Sequence, residues 1–352
     1  MAGLAIILII MKTAVSREKG KIIVEDMQLP ELKEGELLVK LRACGVCGSD
    51  LEKVYGDYGM SSKRVGHELA GEVMQSKSDK FAAGDRVFVH HHVPCYSCYY
   101  CLKGDHILCS EYQRSNVEPC GLSEYFIVPE WNVSKGGVIK LPDKMSFEEA
   151  ALAEPLACCI KAINKLRVQP GDTAAVIGAG PAGIMNMMIL KNGGAAEVFA
   201  IDISDYRINF AKRHVHAINA MKDDAARIIK NATNGRGVDI VVVATGNPKA
   251  IKQALDLVRK GGKIMIFGVP SKGTMLDYDA NFLFANEIQL LTSGYCTETE
   301  TYAALKLIES GKIDVKELIT HRFPIAESQK AFDLAHSAEN AMKVVITGSS
   351  TP

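Results

Sequence analysis

The chain has no excess of either charge: Lys+Arg and Asp+Glu both number 41 in 352 residues, a formal net charge of zero. That absence removes the electrostatic footprint of a nucleic-acid binder or a binder of anionic membranes. Residues 1–10 (MAGLAIILII) are apolar, but they are about half the length needed to span a bilayer. They also lack a basic leading segment and a small-residue cleavage site, so they make a poor secretory signal. No internal repeat or low-complexity tract stands out. Without a secretory signal, ten cysteines fit a reducing compartment where thiols stay free for metal, and a cytoplasmic location is expected. Met11 follows the apolar stretch directly, and MKTAVSREKGKIIVEDMQLP reads as a sensible start by itself. Residues 1–10 therefore read as an upstream mis-start or an artificial extension; a short extra strand is the alternative.

What is present is a globular composition, 47% hydrophobic and 23% charged, in a chain too long for one ordinary core. About two domains are expected. From Lys12 to Pro142 the texture is short strands and turns: KIIVED, ELLVKLRA, AGEVMQS, DRVFVH and EYFIVP. Phe147 to Lys165 reads as helical, broken near Glu154-Pro155. Short apolar runs then alternate with helical segments: DTAAVIG, EVFAID, HAINA, VDIVVVAT, GKIMIFG and EIQLLTSG. That alternation predicts a parallel sheet covered on both faces. The stretch 295–352 holds helices at about 299–310 and 326–336, the motif ITHRFPI and a final strand MKVVIT.

Cys95, Cys98, Cys101 and Cys109 follow the pattern C-x2-C-x2-C-x7-C. Four thiolates this close can surround one Zn²⁺ tetrahedrally and leave no open position, which makes such a site structural. Two disulfides or an iron–sulfur cluster are the alternatives that spacing leaves open.

Gly178, Gly180 and Gly183 form G-x-G-x-x-G, after the apolar strand AAVI and at the start of a helix that opens with Pro181 and Ala182. In that context the motif is a dinucleotide fingerprint, with the pyrophosphate at the helix N-terminus. Asp202 ends the next strand, 19 residues beyond Gly183. A carboxylate there accepts hydrogen bonds from the adenosine ribose and repels a 2′-phosphate, which favours NAD over NADP. Arg207 lies nearby, for an adenine contact or simple helix solvation.

Cys47 in CGVCGSD, His67 and Glu68 in GHE, and Glu154 in AEPLA are scattered. Few protein ligands from separate loops, with one position open, is the pattern of a catalytic zinc. Spacing alone does not assemble them: a lone cysteine is usually packing, and a lone Glu-Pro usually starts a helix.

Together, CGVCGSD, GHELAG, GDRV (84–87), the four-cysteine lobe, AEPLA, GAGPAG and ITHRF carry a resemblance. The chain resembles the zinc-dependent medium-chain dehydrogenases of the alcohol dehydrogenase superfamily, in the branch with sorbitol and threonine dehydrogenases. The resemblance runs in order over nearly the whole chain from Met11. It implies an α/β protein with a GroES-like β-rich catalytic domain over 1–150, including the metal lobe at 90–112. A Rossmann doubly wound domain would follow over 151–292, and 293–352 would return to the catalytic domain.

It also implies roles. Cys47 and His67 would hold the catalytic zinc, Glu154 would lie near it as a ligand or through water, and Glu68 could approach it. Asp50 would orient His67, and Ser49 would pass on the substrate proton. Cys44 would only pack. Two zinc ions and NAD are the implied cofactors, and oxidation of a secondary alcohol, foremost a polyol, the implied reaction. Threonine or a simple alcohol is the alternative, and a non-catalytic nucleotide sensor a distant one. A dimer or tetramer paired through the last strands of the nucleotide domain is expected. Two departures stand out. Glu52 replaces the histidine that often ends the proton path, and Ser76-Lys77 replaces a glycine usual after GHExxG.

Overall fold

A computed structural model describes residues 10–56 and 64–348. Its contacts divide the chain into two units. One runs up to Glu154 and takes back Thr297–Leu305 and the chain from Ile319 on; the other holds Pro155–Cys296 and Lys306–Leu318. The stretch 306–318, expected with the C-terminal part of the catalytic domain, therefore packs with the second unit. Among the described residues no helix is long and apolar enough to cross a membrane.

The first unit opens with β1 (Ile10–Glu18) and β2 (Lys21–Gln28), an antiparallel pair in which Ile10 faces Gln28. Regular structure thus begins inside the stretch read as extraneous; residues 1–9 lie outside the described residues. Met11 is 1% exposed, so β1 is anchored from its second residue. The larger sheet takes β3 (Leu37–Gly45), β4 (Glu68–Ser76), β5 (Arg86–Val89), β6 (Tyr125–Val128) and β7 (Val138–Lys140).

The second unit supplies β8 (Thr173–Ile177), β9 (Glu197–Asp202), β10 (His216–Asn219), β11 (Val238–Val243), β12 (Val258–Ile266) and β13 (Gln289–Thr292). These pair in the order β10-β9-β8-β11-β12-β13, all parallel. Numbered from the unit's own first strand, that is 3-2-1-4-5-6, the doubly wound dinucleotide-binding order. The strands read as continuous apolar runs because helices cover both faces; Ala175, Phe199, Ile201, Val241 and Ile264 are buried in its core.

The chain then returns to the first unit with β14 (Ile319–Pro324) and β15 (Lys343–Thr347), and the sheet order there is β14-β15-β3-β4-β5-β7, with β6 on β3. β3 is the central member. Leu37, Val39, Leu41, Ala43 and Cys44 are fully buried along it. A Leu41→Ala change in such a place costs about 2–5 kcal/mol.

Two local departures have simple causes. The helical stretch after Ser146 breaks at Leu152, not at the proline: helices run Phe147–Ala151 and Ala153–Leu166. Pro155 then falls in a first turn, where its missing N–H has no intrahelical partner to lose. At Ser76-Lys77 the turn forms without glycine. Ser76 Oγ donates to Ser78 O at 2.9 Å and accepts from Ser78 N at 3.1 Å, and neither residue needs a positive φ.

Candidate metal centres and nucleotide site

The four lobe cysteines each place a sulfur within 4.8 Å of the others. Cys95 Sγ lies 3.9 Å from Cys101 Sγ. A tetrahedron of ~2.3 Å Zn–S bonds has edges of about 3.8 Å, so the spacing suits one zinc ion. It is far too long for a disulfide, and none of the ten cysteines is in one. It is also tight for a cluster of several irons. Backbone N–H groups of Ser97 and Cys98 donate to Cys95 Sγ at 3.5 and 3.3 Å, and Cys95 N donates to Cys109 Sγ at 3.4 Å. The Ser97 N–H holds the Cys95 thiol down to about 6, while burial pushes Cys101 up to about 12. The raised Cys101 thiol is one that a dication among the four sulfurs would deprotonate.

The second donor set is assembled by three elements. Cys47 precedes the helix Gly48–Val54, His67 sits in the loop before β4, and Glu68 opens that strand. Their donor atoms lie within 4.8 Å of one another. His67 Nδ1 is 3.0 Å from Asp50 Oδ2, which also accepts from Gly66 N at 3.2 Å. Lys53 Nζ lies 3.1 Å from Asp50 Oδ1. Burial alone would push the Asp50 carboxyl up; the charges and hydrogen bonds of His67 and Lys53 overcome it and hold the group below the usual range. Burial works against a charged His67 too, and Asp50 and Cys47 outweigh it, raising its pKa. The Asp50 contact fixes Nδ1 as the protonated nitrogen and leaves Nε2 for a metal.

Ser49 Oγ donates to Cys47 Sγ at 3.4 Å and lies 3.4 Å from His67 Nε2. Its hydroxyl therefore sits beside the donor group. Glu68 Oε1 accepts from Lys343 Nζ, while Oε2 is buried and has no hydrogen-bond partner. An orphaned carboxylate oxygen beside a thiol and an imidazole suits a cation. Room for it comes from Gly45, where a Cβ would fall 1.7 Å from Glu68 Oε2.

Glu154, 5% exposed on helix Ala153–Leu166, does not join this donor group, although its charge helps to raise Lys343. Cys44 packs, fully buried, in the β-sheet core. The Glu52 carboxylate lies against its own helix end: a Cβ on Gly56 would meet Glu52 Oε2 at 2.2 Å.

Two contributors were not foreseen. Lys343 falls within the strand run MKVVIT, which marks it no further. His91 is 7% exposed, with its ring centroid 5.2 Å from that of His67. Burial and then the neighbouring His92, His67 and His90 hold its pKa well down, so His91 stays neutral. The run His90-His91-His92 ahead of the first lobe cysteine was the signal available for it.

In the second unit, β8 leads into Gly178, whose φ of +99° needs glycine. A Cβ on Gly183 would fall 1.8 Å from Gly178 O, so this helix–strand approach also needs glycine. Gly180 caps the helix Pro181–Asn192, with Pro181 at its first position. Asp202 Oδ2 accepts from Ala179 N at 2.7 Å, and Oδ1 accepts from Ile203 N and Ser204 N at 2.7 and 2.9 Å. Arg207 lies 4.0 Å from Asp202, and its guanidinium carbon would be 3.5 Å from a Cβ on Gly180. The loop, the helix start, Asp202 and Arg207 thus face one another.

Two family models match: an alcohol dehydrogenase GroES-like domain over residues 33–143 and a zinc-binding dehydrogenase over residues 181–310. A sorbitol dehydrogenase of Bacillus subtilis is 35% identical over 347 residues, covering 96% of this chain and 97% of its own. An L-threonine 3-dehydrogenase of Caldanaerobacter subterraneus is 34% identical over 320 residues, 87% of this chain and 90% of its own. The solved alcohol dehydrogenase TADH of Thermus sp. ATN1 superposes with a TM-score of 0.85 at 27% identity, covering 96% of this chain and 99% of that one.

Proposed function

The chain belongs to the zinc-type medium-chain alcohol dehydrogenase family, and on that premise we propose that it oxidises a secondary alcohol, foremost a polyol, with NAD. It is an oxidoreductase that uses zinc and a nicotinamide dinucleotide; the substrate and the choice of NAD over NADP are the proposal. The observation that carries it is Ser49 Oγ within 3.4 Å of both Cys47 Sγ and His67 Nε2, a proton acceptor beside an open donor group. The likeness to sorbitol dehydrogenase at 35% identity supports a polyol, and the likeness to threonine dehydrogenase at 34% keeps threonine as the alternative.

Cys47, His67 and Glu68 would hold the catalytic zinc, with Glu154 nearby, and Cys95, Cys98, Cys101 and Cys109 the structural one. The catalytic zinc would supply Lewis acidity toward an alcohol oxygen, and the nicotinamide would supply a hydride acceptor. The chain does the rest. Ser49 takes the alcohol proton at Oγ, and Asp50 keeps His67 in the tautomer and orientation the site needs. Glu52, three residues on along the same helix, would carry the proton to solvent after its side chain turns from Gly56. In the second unit, Gly178, Gly180, Pro181, Ala182 and Gly183 would cradle the pyrophosphate, with Asp202 on the ribose hydroxyls and Arg207 on the adenine side. We place the protein in the cytoplasm, as a dimer or tetramer joined through the β13 edge. The apolar side chains of Met275 and Phe284, 87% and 83% exposed in the connection from β12 to β13, favour this pairing.

The test is a panel of polyols, threonine and simple alcohols with NAD and NADP, followed by reduced-nicotinamide absorbance. Turnover of a polyol with NAD supports the reading. Turnover of threonine alone would move the assignment to the other named class, and turnover of nothing with both zinc ions bound would favour a sensor. Light scattering reads the oligomer.

A further inference from the structure

Ten cysteines exceed what two metal centres use, and two of the remainder meet. Cys158 and Cys296 hold their sulfurs within 4.8 Å of each other, in a group that also takes in a carboxylate oxygen of Glu154. Both lie in the second unit. Cys158 is half-buried on the helix Ala153–Leu166; Cys296 is fully buried, in the segment that follows β13.

The approach is built rather than incidental. Lys161 Nζ, on the same helix, donates to Gly294 O at 3.0 Å and to Tyr295 O at 3.3 Å. Lys165 Nζ donates to Thr292 O at 3.2 Å. Positions 158, 161 and 165 share one helix face. That face is therefore laced to residues 292–295, and the thiols lie at the end of the lacing. Tyr295 is held at φ 53°, a left-handed conformation that non-glycine residues rarely adopt. The adjacent Cys159 is directed elsewhere, its Sγ 3.6 Å from Ala182 O.

We propose that Cys158 and Cys296, neither of them a member of the two zinc donor sets, form a reversible disulfide. The oxidant is a hydroperoxide. The Cys158 thiolate attacks a peroxide oxygen, the O–O bond breaks, and hydroxide leaves a sulfenic acid on Cys158. The Cys296 thiolate then attacks that sulfur, the S–S bond forms, and the sulfenic oxygen leaves as hydroxide, taken up as water. In sum two thiols lose two electrons and two protons, and hydrogen peroxide becomes two waters. A dithiol reverses the change by exchange. The half-buried sulfur is the one a peroxide reaches, and the buried one resolves it.

The position gives the bond a consequence. The chain passes into this unit at Pro155 and first leaves it after Cys296. A disulfide here ties the incoming segment to the outgoing one.

The experiment uses the zinc-loaded full chain, treated with hydrogen peroxide and digested without reduction. The expected product is a peptide pair joined through Cys158 and Cys296, lost again after dithiothreitol, with zinc content unchanged. Cys158→Ala and Cys296→Ala, each checked for fold by circular dichroism, should abolish the pair. Should Cys296→Ala fail to fold, the wild-type peptide map decides alone. Oxidation of Cys158 to sulfinic acid with no joined pair would overturn the proposal, as would a first disulfide among the zinc-ligand cysteines. Neither outcome depends on which alcohol the enzyme takes.

Discussion

Lys343 Nζ lies 2.6 Å from Glu68 Oε1, both side chains almost wholly shielded from water, with Val46 O as the second acceptor of that ammonium at 3.0 Å. One oxygen of Glu68 is thereby held and the other is left without a hydrogen-bond partner. Replacing Lys343 by Met would leave a buried carboxylate unpaired, a loss of about 3–5 kcal/mol in chemical unfolding. Lys343→Arg should recover much of it. Added zinc should stabilise the Met variant more than the wild type, because the ion replaces the lost cation. Equal zinc stabilisation in both would mean that Lys343 only packs.

Asp50 acts at one remove from the metal. Asp50→Asn keeps the shape but removes the charge that holds His67, and zinc affinity should fall roughly 10- to 100-fold, read by competition with a chromophoric chelator. The sign with pH follows from the depressed carboxyl. Its contribution to stability is present above the ordinary carboxylate range near pH 4 and is lost as pH falls toward the lower folded-state value. The Asn variant should therefore show a flatter acid limb in its melting temperature than wild type. Parallel limbs would exclude Asp50 as the source.

The two metal centres should be separable. Cys98→Ser should remove one zinc ion and lower the melting temperature, since metal affinity in the lobe is folding free energy. Cys47→Ala should also remove one and abolish nearly all turnover, yet leave the fold and NADH binding. A Cys98→Ser protein with both ions and unchanged melting would sink the assignment of the lobe.

Asp202 should govern the dinucleotide. Wild type should prefer NAD by a wide margin, and Asp202→Ser should narrow it by removing the charge that repels a 2′-phosphate. Because Asp202 also accepts from Ala179 N at 2.7 Å, the variant should bind both dinucleotides more weakly. Equal use of NADP by wild type would contradict this.

Glu52→Gln should slow turnover without loss of zinc, and Glu52→His should move the acidic limb of the pH–rate profile upward. Identical profiles in all three would route the proton past Glu52.

What could be read from the residues was what is local. Strand runs such as EVFAID and VDIVVVAT, the glycine loop and the lobe each carry their pattern within a few residues. Glu68's partner does not, because Lys343 is 275 residues away and opens a strand that reads as ordinary sheet. His91 was equally hidden, since adjacency in space to His67 leaves no spacing rule. The helix break at Leu152 shows the limit of proline as a signal: Pro155 permits a helix start as readily as it ends one. The return of 306–318 to the second unit depends on packing, which periodicity does not report.

The discontinuous sheet also sets a timetable for metal uptake during synthesis. The lobe closes within Cys95–Cys109, so its zinc can be captured as soon as that short loop leaves the ribosome. The other centre waits for β15, because that strand, with Lys343 275 residues after Glu68, holds the segment beside Cys47: Val46 N donates to Val344 O at 2.9 Å. At roughly 5–20 residues per second that is a delay of roughly 15–55 s. A nascent chain halted before Ile319 should accordingly carry lobe zinc alone, and metal analysis of such stalled chains would show whether the two ions arrive in that order.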